Sequence, residues 1–103
     1  MSTANNQVQN SAPSVSAVVE RARSRQLGLP ELIHIAQGLG GGDGARARGE
    51  VYKNWIAFNC DHPLVHLAYF NYSVALREAG DLAGAINALQ ECVRVARSSV
   101  RAA

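Results

Sequence analysis

Cys60, Asp61, His62 and His66 fall in one short stretch, and thiolate and imidazole are the groups zinc prefers as ligands. Their spacing argues for a plainer role. His62 precedes Pro63 in a predicted loop and His66 sits one turn into the next helix, where capping and core packing account for both. The run Gly38-Leu39-Gly40-Gly41-Gly42-Asp43-Gly44 is glycine-rich like a phosphate loop, but it lacks the closing Lys-Ser/Thr and follows a helix rather than a strand. It is predicted to be a flexible connector. Arg94, Arg97 and Arg101 make a basic stripe without aromatic partners for bases, which reads as a solvated face. No Ser-His-Asp or Cys-His arrangement with a credible orientation is legible. The expectation is therefore no catalytic residue, no metal and no cofactor.

The elements that must position any site are helical throughout. Met1 to Pro13 is rich in Asn, Gln and Ser, so ordering it would cost entropy with little burial in return, and a disordered tail is expected over 1–14. Val15, Val18, Val19, Ala22 and Leu27 mark a first amphipathic helix ending near Gly28. Pro30 suits the first turn of a second helix, whose buried face is Leu32, Ile33, Ile35, Ala36 and Leu39. After the glycine run, Val51, Tyr52, Trp55, Ile56 and Phe58 predict a third helix, with Arg46, Arg48, Glu50 and Lys53 on its polar side. Pro63 opens a fourth, carrying Leu64, Leu67, Ala68, Tyr69, Tyr72, Leu76 and Ala79. Gly80 and Asp81 end that helix and start a fifth, with Leu82, Ala85, Ile86, Leu89, Cys92, Val93 and Ala96 on its apolar side.

Composition sets the bounds. A chain of 103 residues with 48% apolar and 17% charged residues can bury one core. Ten basic and eight acidic residues leave a net charge of +2, too balanced for an electrostatic grip on nucleic acid or anionic lipid. No run approaches the roughly 18 apolar residues that a membrane span needs. The two cysteines fit neither a secreted disulfide framework nor paired metal ligands, so a cytoplasmic location with reduced thiols is expected.

Tyr69, Tyr72-Ser73, Leu76, Ala85, Leu89 and Cys92 follow the spacing of a tetratricopeptide unit, a helical hairpin that buries its apolar face by stacking on neighbours. The second and third helices make a degenerate hairpin before it, with Trp55 in the aromatic place and Val51 where an alanine is expected. The predicted fold is all-α, antiparallel hairpins stacked as a short tetratricopeptide-like solenoid of about five helices. Its divisions are a capping helix over 15–29, the degenerate hairpin over 30–62, the tetratricopeptide unit over 63–98 and a tail over 99–103.

The segment from Glu50 to Leu64, continuing through Tyr69-Phe70-Asn71-Tyr72 to Ala79-Gly80-Asp81-Leu82-Ala83-Gly84-Ala85, resembles the N-terminal region of bacterial SPINDLY-like O-linked N-acetylglucosamine transferases. The resemblance covers residues 48 to 95. It implies a helical repeat array that presents protein substrates or partners to a glycosyltransferase module using a UDP-sugar. This sequence stops at Ala103 without such a module, so the resemblance carries no catalysis over.

In such arrays the first helix of each hairpin lines a groove, which here offers Leu67, Phe70, Asn71, Val74, Arg77 and Glu78 as the partner-binding face. Asn71 is the strongest candidate, because a side-chain amide both donates to and accepts from a bound peptide backbone. The function expected is a non-catalytic module that binds a protein or peptide. The alternative is a truncated substrate-presenting region of a SPINDLY-like transferase. With Val93, Val95 and Val100 lacking intrachain cover, a homodimer through the C-terminal hairpin is also expected.

Overall fold

A computed structural model describes residues 14–102, with side chains described through Ser98. Helix α1, Val15–Arg23, starts at Ser14, whose hydroxyl accepts the Ala17 N–H at 3.1 Å, and it buries Val18 and Ala22. It ends earlier than the apolar spacing predicted. Arg25 takes a left-handed φ of 62° there, while the Gln26 N–H reaches the Arg21 carbonyl at 3.1 Å and the Arg25 N–H reaches Ala22 at 3.0 Å. These paired bonds satisfy carbonyls that a helix end leaves open. Leu27 then packs as part of the core from outside the helix.

Helix α2, Leu29–Gly38, holds Pro30 in its first turn and buries Leu29, Leu32 and Ala36. Helix α3, Gly44–Phe58, follows a tight turn rather than a loose connector. Gly40 and Gly42 have φ values of 75° and 59°, and a Cβ on Gly44 would lie 1.9 Å from the Leu39 carbonyl oxygen. Backbone bonds from Gly44 to Gly41 and from Ala45 to Gly42, both 3.0 Å, close the turn. Gly44 has no room for a side chain, and Gly40 and Gly42 take a left-handed φ that glycine adopts without strain.

Helix α3 is the centre of the molecule, since α1, α2 and the following helix all pack on it. Trp55 is fully buried among them, and its indole N–H donates to the Leu27 carbonyl at 2.7 Å. The N-terminal segment thus packs on α3 as well as preceding α2. Asn59 ends α3 and donates from its buried amide to the Trp55 carbonyl at 2.9 Å.

Helices α4, Val65–Glu78, and α5, Leu82–Ala102, form the hairpin with the most extensive packing in the structure. Small residues are buried on both helices, Ala68, Ser73 and Ala75 on α4 and Ala85 and Ala88 on α5, which lets α4 approach its neighbours on either side closely. Ser73 returns its hydroxyl to the Phe70 carbonyl at 2.6 Å, and the Cys92 thiol reaches the His66 carbonyl at 3.2 Å. Helix α5 continues to Ala102, so the segment read as a tail over 99–103 is helical for nearly all its length. The tail expected over 1–14 lies outside the described residues, apart from the capping Ser14.

The turn between α4 and α5 spans Ala79, Gly80 and Asp81, one residue more than the two predicted, because Ala79 caps the end of α4. Gly80, at φ 90°, donates to the Arg77 carbonyl at 3.0 Å, and the Asp81 N–H donates to Leu76 at 2.8 Å. The Asp81 carboxylate then accepts the Gly84 N–H at 2.8 Å and caps α5. Asp81→Ala removes that cap and is expected to cost about 1 kcal/mol in urea unfolding. Asp81→Asn, which keeps an accepting oxygen, should restore most of the loss.

Candidate interaction groove

A cleft of about 410 Å³ opens where the C-terminal half of α2, the N-terminal half of α3 and the outer face of α4 meet. Ile33 and Ala36 from α2 and Val74 from α4 give it apolar walls. Gln37, Arg48, Tyr52, Asn71 and Glu78 supply polar groups. The arrangement follows from helical spacing: Arg48 and Tyr52 are one turn apart on α3, and Asn71, Val74 and Glu78 recur at three and four residues along α4.

Arg48 organises the cleft. Its Nε donates to the Gly40 carbonyl at 2.7 Å and a terminal nitrogen pairs with the Glu78 carboxylate, so one guanidinium ties the α2–α3 turn to the end of α4. Only 13% of the side chain is exposed, against 41% for Glu78. The sequence pattern had placed Arg48 on the solvated side of α3 with Arg46 and Lys53, and the structure corrects this. The helix N-terminus lies against the glycine turn, which gives a long side chain there a carbonyl to reach.

Tyr52 is buried, and burial holds its phenol above the ordinary tyrosine range. The Arg48 charge and the neighbouring Asn71 side chain oppose that rise. Asn71 is half-buried, with Tyr52 among the groups beside it. A planar amide so placed offers both donors and an acceptor to a bound main chain. With Arg48 and Glu78 compensating each other, the cleft is suited to a neutral amide segment carrying an apolar side chain.

The predicted binding face divides. Asn71, Val74 and Glu78 line the cleft, whereas Leu67, Phe70 and Arg77 do not and stand exposed on α4. Phe70 is 51% exposed and Leu67 41%. Ile33, Gln37, Arg48 and Tyr52 were missed as site residues. The one-turn spacing of Arg48 and Tyr52 was a usable signal, but it points to a groove only once α2 is known to lie beside it.

The other chemistry-bearing residues have local roles. The His62 Nδ1 accepts the Leu64 N–H at 3.0 Å while its ring lies 5.2 Å from that of Trp55. Cys60 is exposed, and Asp61 pairs with Arg25 at 2.9 Å. Among the described residues no three His, Cys, Asp or Glu side chains gather closely enough to hold a metal ion. Arg94 is bonded to Glu91 at 2.6 Å, a pairing that raises the guanidinium pKa and lowers that of the carboxyl. Among the described residues no helix is long and apolar enough to cross a membrane. No family model, no curated protein and no solved structure matches the chain.

Proposed function

We propose that the chain is a non-catalytic, tetratricopeptide-like module of the cytoplasm that binds a segment of another protein in the α2–α3–α4 groove. The observation that carries the reading is the cleft itself, in which the half-buried Asn71 amide stands between apolar walls and beside an internally neutralised Arg48–Glu78 pair. Such a lining recognises a main chain by its amides and an adjacent side chain by its apolar surface, without demanding charge. The repeat spacing from Tyr69 to Cys92 and the stacking of α4 on α3 support the same reading. A nucleophile with an adjacent base is missing from the cleft lining, which favours recognition over reaction.

The test is selection from a displayed peptide library on the purified chain. Peptides enriched on the wild type are expected to bind Asn71→Ala at least about tenfold more weakly, the loss of roughly 1.4 kcal/mol that follows from removing hydrogen bonds to a bound backbone. Peptides that bind both proteins equally would contradict the groove.

A further inference from the structure

Helix α5 carries an apolar stripe that the intrachain packing does not use. Leu82, Ile86, Leu89 and Val93 are 62%, 57%, 42% and 51% exposed, although each is a large apolar residue. Their spacing alternates four and three residues, and the sequence continues it through Ala96 and Val100. A mean spacing of 3.5 is the seam of a helix that pairs with another long helix, distinct from the face of α5 that packs on α4. Of the valines expected to be uncovered, Val93 is exposed and belongs to this stripe, whereas Val95 packs against the core.

We infer that α5 pairs antiparallel with α5 of a second copy of this chain about a twofold axis near Gln90 and Glu91. Residue size and charge along the helix select both the occupant and the direction. The large residues Leu82, Ile86 and Leu89 occupy the N-terminal half of the seam, and the smaller Val93 and Ala96 follow in the C-terminal half. Antiparallel pairing sets Leu89 of one copy opposite Val93 of the other and Ile86 opposite Ala96. It also sets Leu82 opposite position 100. Every seam position then has a partner and each layer joins a larger to a smaller residue, whereas parallel pairing stacks Ala96 on Ala96 and leaves a void.

Charge points the same way. Leu82 to Gln90 carry no charge, while Arg94 and Arg97 lie in the C-terminal half and Asp81 precedes the first turn. Parallel copies would align the arginines of both chains. Antiparallel copies separate them, bring Arg97 toward the other copy's acidic N-terminal cap, and oppose the two helix dipoles. A twofold contact of this kind closes on itself and ends as a dimer. The inference uses the outer face of α5 and does not depend on the groove, so either can fail without the other.

Light scattering on the full chain over a wide concentration range should approach the mass of two chains. Leu89→Asp should return it to one chain with unchanged helical circular dichroism, because Leu89 is already partly in solvent in the monomer. Direction is read in a Cys60→Ser, Cys92→Ser background under mild oxidation. Gln90→Cys, beside the proposed axis, should link to itself, and Ala83→Cys, far from it, should not. A mass of one chain at the highest concentration, a dimer unaffected by Leu89→Asp, or linkage by Ala83→Cys without Gln90→Cys would each overturn the inference.

Discussion

Trp55→Ala is expected to lower the unfolding free energy by about 3–5 kcal/mol, the range for emptying a large buried aromatic site. Trp55 is 0% exposed and lies in the one core cluster that joins residues of α1, α2, α3 and α4. Its loss opens a cavity under α1 and α3 and also leaves the Leu27 carbonyl without the 2.7 Å indole bond. A domain of this size has about 5–15 kcal/mol in total, so the variant should have little stability in reserve at room temperature. Urea unfolding followed by circular dichroism measures the change. Trp55→Phe separates the two contributions: it refills most of the volume but cannot donate, and should recover over half of the loss. Equal midpoints for wild type and Trp55→Ala would mean that the α1–α3 packing is not the core.

Arg48→Met carries the second large effect, because it acts on stability and on binding together. It removes the Gly40 carbonyl bond at 2.7 Å and the pairing with Glu78 while keeping a stem of similar length. The expected cost is about 2 kcal/mol, as for hydrogen bonds that involve a charged group. The groove should also lose its compensated character, since Glu78 then stands as an unpaired anion at its edge. Peptides selected on the wild type should bind Arg48→Met at least about tenfold more weakly, a loss of roughly 1.4 kcal/mol. Arg48→Lys keeps the charge but has no planar fork to reach a carbonyl and a carboxylate at once, so it should restore little. Arg48→Met with wild-type stability and affinity would contradict the organising role given to this side chain.

Which parts of this were legible in the sequence follows from what each part depends on. The α4–α5 turn was, because Gly80 and Asp81 act on their own neighbours: a left-handed residue ends one helix and a carboxylate caps the next. The helices themselves were legible through apolar periodicity, and their all-α character is what the structure has. The end of α1 was not, since Arg25 takes a left-handed conformation that glycine usually fills, and its pairing with Asp61 lies far along the chain. Composition could not tell the glycine run from a loose connector, because the clash at Gly44 with the Leu39 carbonyl exists only in the folded turn.

The site was half legible for the same reason. Asn71, Val74 and Glu78 were identified from one face of one helix, which is a local property. Arg48 and Tyr52 enter the groove because α3 is shared between α2 and α4, and no spacing on α3 alone reports that sharing. Conversely, Leu67, Phe70 and Arg77 share a helix with the lining residues but are exposed outside the cleft, so periodicity assigned them to a face wider than it.

The most direct test of the central claim is amide-resolved NMR of the isotopically labelled chain, titrated with a library-selected peptide. The groove account predicts that the Asn71 side-chain amide and the backbone amides of Gln37, Gly41, Arg48 and Val74 shift together and saturate with one affinity. Shifts confined to Leu82, Ile86, Leu89 and Val93 on α5, with the Asn71 amide unmoved, would contradict it.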